Sequence, residues 1–336
     1  MSEGEAVDDV PSPAQTSRLA GAVLEQVQRA VVGKRDALTL VLAGILAGGH
    51  VLVEDLPGLG KTLAARSFAQ TLGLRFTRAQ FTPDLLPADL TGSFVYDQRT
   101  AEFAFRPGPL FTGLLLADEV NRTPPKTQAA LLEAMQERQV TVEGETFPLD
   151  APFHVLATAN PVEYEGTYPL PEAQLDRFLL RVRFGYPTRD QEWEVLQRRL
   201  ARRREDQQLD AVTDAAGLGA MQASVETVTV EESVSRYCVA LAAATRDHPQ
   251  VLLGSSPRGA LALMLTARSH AVITGRDYVV PEDVKSVASA VLGHRITIRP
   301  ELWMSDVTGD TVVRTVLAEV PTPGARESGF GPRRHG

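Results

Sequence analysis

Nine consecutive residues, Glu54-Asp55-Leu56-Pro57-Gly58-Leu59-Gly60-Lys61-Thr62, carry the densest chemical signal in the chain. They follow an apolar run, Val51-Leu52-Val53, and lead into a segment of helical pattern, which is the setting a phosphate-binding loop requires. Gly58 and Gly60 let the main chain curl so that successive N–H groups point at phosphate oxygens. The helix that follows adds the positive end of its dipole at the same point. Lys61 supplies a cation for the β and γ phosphates and Thr62 a hydroxyl for Mg²⁺, with Leu63 completing the stretch in reach of a nucleotide. Lysine occurs at only four positions (Lys34, Lys61, Lys126, Lys285), so its presence in this loop does not come from composition. The usual pattern opens on glycine where this chain has Asp55, and an acid beside phosphate is tolerable only if its side chain points away. A plain Gly-Pro turn is the alternative reading.

Two further strand ends could serve the same site. Leu114-Leu115-Leu116-Ala117 runs into Asp118-Glu119. An acid at the first position suits Mg²⁺, which takes carboxylates together with retained waters. A second acid beside it suits a base that polarises the attacking water. Alone, the pair could equally be two acids at a solvated strand end. Ala157-Thr158-Ala159 ends on Asn160-Pro161, where an amide could orient water or touch the γ-phosphate, or merely shape a turn. Together these residues predict binding and hydrolysis of ATP with Mg²⁺.

The surrounding pattern must position them. From about residue 17 to 186, apolar strand-like runs (51–54, 76–81, 114–117, 154–158) alternate with helical ones (37–47, 61–72, 127–137), which predicts an α/β fold with a parallel sheet covered on both faces. Two β-rich pieces, 93–105 and 138–149, break the alternation and read as inserted hairpins. Beyond Pro187 the texture is helical (188–204, 232–247, 257–274, 281–292 and near 306–319), which predicts an all-helical second domain over 187–320. Residues 1–16 are acidic and contain Pro11 and Pro13; they read as disordered, with Ser17 capping a first helix over 18–30, and 321–336 reads as a loose tail.

Bulk properties restrict the partners. The chain of 336 residues carries a net charge of −8, so nucleic acid and anionic membranes are not its default ligands. The uncharged stretch 37–53 is too short for a membrane span and is broken by Gly48-Gly49-His50. A single cysteine, Cys238, in an apolar helical run excludes an internal disulfide and reads as a buried small hydrophobe in a reducing compartment. With no basic start followed by an apolar run, a cytoplasmic location is expected. The six histidines show no paired metal-binding spacing. Arg198, Arg199, Arg202, Arg203 and Arg204 form a basic cluster read as a solvated helix face, with nucleic acid or a neighbour's acidic face as the alternative.

The order of these parts resembles an AAA+ ATPase, and the MoxR family within that class. The resemblance rests on residues 36–50, Gln80-Phe81-Thr82-Pro83-Asp84-Leu85-Leu86-Pro87, Gly108-Pro109-Leu110-Phe111 and Asp118-Glu119-Val120-Asn121-Arg122. It continues through Pro125-Lys126-Thr127-Gln128, Ala159-Asn160-Pro161, Ala173-Gln174-Leu175-Asp176-Arg177-Phe178 and Ser256-Pro257-Arg258-Gly259, and so covers roughly residues 17–300. The resemblance implies that Arg177 is an arginine finger for a neighbour's γ-phosphate and that Arg258 is the sensor 2 arginine of the lid. An ion pair with Asp176 or Glu172, and a place on the helix surface, are the respective alternatives. It further implies a homo-oligomeric ring, a hexamer, and a chaperone-like role on client proteins with a partner carrying a von Willebrand factor A domain. A nucleic-acid motor and a regulatory ATPase of a metal-insertion (chelatase-like) complex are the competing readings.

Overall fold

The computed structural model describes residues 10–161, 166–203 and 207–324. Helix α1 (Pro13–Ala30) begins earlier than its apolar period suggests. Ser12 caps it in a reciprocal capping box with Gln15, Pro13 stands at the first helical position, and Thr16 is buried with its hydroxyl 2.8 Å from that of Ser224. Residues 13–16 are therefore structured, contrary to the sequence expectation of disorder up to residue 16; residues 1–9 lie outside the described residues. Next come α2 (Arg35–Leu46), β1 (Val51–Glu54), α3 (Lys61–Thr71) and β2 (Phe76–Gln80). A short α4 (Pro87–Thr91) precedes the hairpin of β3 (Gly92–Asp97) and β4 (Glu102–Pro107). After β5 (Leu114–Asp118) and α5 (Pro125–Glu137) stands the second hairpin, β6 (Gln139–Val142) with β7 (Glu145–Pro148). The first domain closes with β8 (His154–Ala159), α6 (Glu172–Leu175) and β9 (Leu180–Val182).

The five main strands form one parallel sheet in the order β2-β5-β8-β1-β9. Alternation along each strand divides its side chains between two cores. Val51, Val53, Leu114, Leu116 and Leu156 enter the core shared with α1, α2, α3 and the C-terminal helices. Leu52, Leu115, Ala117, Val155 and Ala157 enter the other, with α5 and the roots of the hairpins. The hairpins lean on each other through Phe105 and Phe147, stacked at 3.9 Å, with Phe94 and Phe111 alongside.

The C-terminal domain contains α7 (Arg189–Arg202), α8 (Ala215–Glu226), α9 (Glu232–Asp247), β10 (Val251–Leu253), α10 (Pro257–Ile273), α11 (Pro281–Leu292), β11 (Thr297–Ile298) and α12 (Gly309–Glu319). It is helical apart from the small β10–β11 pair. Helix α10 packs against α1 and α2, so the two domains share one apolar core. Cys238 is buried there, and burial pushes its thiol up to about 11, as expected of an inert core residue. Helix α7 fully buries no side chain, and Trp193 on it is exposed. Among the described residues, no helix is long and apolar enough to cross a membrane.

Candidate functional site

The phosphate loop connects β1, an interior strand between β8 and β9, to α3. Gly58 and Gly60 take φ angles of 79° and 86°, a left-handed conformation that glycine adopts without steric cost. Nothing stands within 4 Å of where a Cβ would project from either, so the loop opens on free space. That space is a cleft of about 310 Å³ lined by Pro57, Gly58, Gly60, Lys61, Thr62, Leu63, Asp118, Glu119 and Asn160. Residues predicted from three separate stretches of sequence thus meet at the C-terminal ends of β1, β5 and β8, the edge where open parallel sheets bind ligands. A ring of main-chain donors, an ammonium group, a hydroxyl and two acids fits a polyphosphate with its divalent cation.

Each acid is already engaged. Arg78 on β2 donates to Asp118 Oδ2 through Nε (3.0 Å) and Nη2 (2.7 Å), while Thr158 donates its hydroxyl to Oδ1 at 2.6 Å. The same hydroxyl accepts the Glu119 N–H at 2.8 Å. Glu119 sits at φ 59°, a strained conformation for a non-glycine residue that turns it out of the strand. Its Oε2 accepts from Gln80 Nε2 at 2.8 Å and pairs with Arg122 at 3.0 Å. Arg78, Gln80, Arg122 and Thr158 were given no role in the site from sequence, although the last three lie within the motifs quoted above. For Arg78 and Gln80 the available signal was their place near the end of a strand parallel to β5, in register with Leu116 and Asp118.

Asp55 does point away from the loop. Its Oδ2 accepts from the N–H groups of Phe184 and Gly185, both at 2.6 Å, and its Oδ1 from Leu56 N–H at 2.9 Å. The departure from glycine is therefore compatible with phosphate in the cleft.

Arg177 and Arg258 do not line the cleft; they stand at the junction of the two domains. Among the described residues Arg177 has no ion pair, so the predicted alternative pairing with Asp176 or Glu172 is not formed. Asp176 is held instead by Arg295 Nε at 2.7 Å, with Arg258 Nη1 at 3.8 Å and the Ser256 hydroxyl at 3.4 Å. Arg295 is buried and also donates to the carbonyls of Phe178 (2.8 Å), Leu179 (3.2 Å) and Val291. Burial lowers its pKa, and the Asp176 carboxylate opposes that shift. A second link joins Glu54 to Arg183 (2.9 Å) and Arg181 (3.4 Å), and both arginines to Asp310 of α12. Of the basic cluster, Arg198 is committed to the end of α1, donating to the carbonyls of Gln28 and Arg29, and Arg204 lies outside the described residues.

Residues 50–180 match the model of an ATPase family associated with various cellular activities (AAA), and residues 243–316 match an AAA lid domain. Chaperone MoxR1 of Mycobacterium tuberculosis is 41% identical over 319 residues, spanning 92% of this chain and 84% of that protein. This chain belongs to the MoxR family of AAA+ ATPases. Protein MoxR of Methylorubrum extorquens is 31% identical over 89% of this chain and 93% of its own. The crystal structure of a candidate ATPase from Cytophaga hutchinsonii superposes with a TM-score of 0.86 at 40% identity, covering 93% of this chain and 97% of that one. The MoxR fold read from sequence, an αβα nucleotide domain with a helical lid, is therefore present, and the chain binds nucleotide and hydrolyses ATP.

Proposed function

We propose that this MoxR ATPase uses ATP hydrolysis to remodel or mature client proteins, acting as a homo-oligomeric ring, a hexamer, in the cytoplasm beside a partner with a von Willebrand factor A domain. The observation that carries this reading is the pair of hairpins stacked together through Phe105 and Phe147. The β3–β4 hairpin presents Val95, Tyr96 and Phe103 to solvent, an apolar and aromatic surface suited to peptide rather than to phosphate backbone. This hairpin follows β2, whose Gln80 donates to Glu119, with only α4 between, so one continuous stretch of chain runs from the site to the proposed working surface.

Within the site, the loop over 55–63 curls round the phosphates, with Lys61 and the main-chain N–H groups beyond Leu56 meeting the negative charge, while the N–H groups of Asp55 and Leu56 stay bonded within the protein. Thr62 and Asp118 would hold Mg²⁺, whose contribution is to neutralise charge on the phosphate oxygens. Glu119 takes up a proton from the attacking water, and the Asn160 amide orients that water. Arg258 senses the γ-phosphate from the lid. Arg177 reaches the next subunit's site, where a guanidinium can be worth about 10³–10⁵ in rate.

Turnover in the presence of casein, of single-stranded DNA and of duplex DNA tests the reading. Several-fold stimulation by the unfolded protein and none by DNA is expected. The opposite pattern would replace the remodelling function with that of a nucleic-acid motor.

A further inference from the structure

Asp55 does two jobs at once that a glycine in its place could not. Through its main chain it belongs to the loop: its carbonyl accepts Lys61 Nζ at 2.6 Å, and its N–H continues the sheet to the Ala159 carbonyl at 3.2 Å. Through its side chain it belongs to the connection between the domains. One carboxylate oxygen gathers two consecutive N–H groups, Phe184 and Gly185, just past the end of β9 and before α7 begins the lid. The connection is gripped from its other side as well. Gly185 takes φ 65°, and its carbonyl accepts Nζ of the buried Lys34 at 2.8 Å. Gly33, next to Lys34, lies against Gln191 in the first turn of α7.

From this geometry we propose that Asp55 is a positioning residue that fastens the phosphate loop to the core–lid hinge. The phosphate cradle itself needs no carboxylate at this position, since its donors are main-chain N–H groups. A buried carboxylate accepting three main-chain donors is instead a strong, short-range tie. Lys61 rests on the carbonyl of the same residue, so drawing its ammonium toward a triphosphate releases the 55–56 peptide. The carboxylate of the same residue passes that release to Phe184 and Gly185. The hinge then responds to what occupies the loop.

The inference rests on the loop being the ATP cradle; loss of Mg-ATP binding in Lys61→Ala, measured by calorimetry, is the separate control for that. Asp55→Gly and Asp55→Asn test the tie itself. The chain has two tryptophans, Trp193 on α7 and Trp303, so a Trp303→Phe background leaves one reporter on the first lid helix. Asp55→Gly should bind Mg-ATP within about threefold of the parent, yet lose about tenfold or more in turnover. The ATP-induced change in Trp193 emission should vanish with it. Asp55→Asn keeps a neutral acceptor and should fall between, and it carries the test if circular dichroism shows the glycine variant unfolded. A parent-like kcat and Trp193 response in both variants overturns the proposal, as does a parent whose Trp193 emission ignores ATP. A fall in ATP affinity of about a hundredfold in folded Asp55→Asn overturns it too, because the carboxylate would then be serving the phosphates.

Discussion

Asp176→Ala removes the only carboxylate described beside the buried guanidinium of Arg295. That side chain is 3% exposed, and Asp176 22%. Breaking a buried pair from one side typically costs about 3–5 kcal/mol, because the remaining charge is left uncompensated. Four main-chain carbonyls, those of residue 176 itself, Phe178, Leu179 and Val291, still accept from Arg295, and position 176 keeps some solvent contact, so the expected loss is at the lower end, about 3 kcal/mol. Arg258, half exposed and 3.8 Å away, contributes little to the pair. Arg295→Met removes the charge while filling the space but strands those carbonyls, and should cost about 2–4 kcal/mol. Combining both substitutions should be less damaging than the sum of the two by about 2 kcal/mol or more, since neither charge is then left alone. Urea unfolding followed by circular dichroism gives all three values. A loss under about 1 kcal/mol for Asp176→Ala, or simple additivity, would refute a tightly coupled buried pair. If Arg177 is the finger, turnover should fall in Asp176→Ala under conditions where the protein remains folded.

Other outcomes follow from the same geometry. His50 and His154 are buried and neutral: Val155 N–H donates to His50 Nδ1 while His50 Nε2 meets the Met135 carbonyl, and His154 bridges the Gly49 carbonyl and Gln222. Burial lowers their pKa values to about 3 and about 4, below the ordinary value of the unfolded chain. Stability should therefore be full above about pH 6.5 and fall below it by about 1.4 kcal/mol per pH unit for each ring, and a urea midpoint that stays flat from pH 7 to 5 would contradict this. Glu119→Gln should bind ATP with parent-like affinity in calorimetry and lose about a hundredfold or more in phosphate release. Mixing Arg177→Ala with Lys61→Ala subunits should restore part of the turnover that each lacks alone, and no recovery would remove the finger role. Arg78→Ala should lower the Mg²⁺ concentration for half-maximal turnover about several-fold, because Arg78 neutralises Asp118 in competition with the cation.

Much of this was legible in the sequence because the signals were local. The strand at 51–54, the loop after it and the acids at 118–119 each announce themselves within a dozen residues, through apolar runs ending in special side chains. Helices starting on Pro257 and Pro281 were equally plain. Local pattern misled at α1, where Pro11 and Pro13 suggested disorder although Ser12 and Gln15 form a capping box. It failed at α8, whose Gly217 and Gly219 dilute the helical signal, and at β9, a three-residue edge strand carrying Arg181. Partnerships across distant sequence were illegible. Nothing near residue 176 indicates Arg295, 119 residues on, and nothing near Asp55 indicates Phe184 and Gly185.

The stacked phenylalanines at the base of the two hairpins have a mechanical corollary. Two rings stacked 3.9 Å apart in nearly parallel planes couple the hairpins, so a tilt of one would carry the other with it, like a single paddle with two blades. Pulling on one tip loads the other, and the strain travels down two stems at once, into the chain after β2 and into the chain before β8. An obstacle met by either blade would thus be felt on both sides of Glu119.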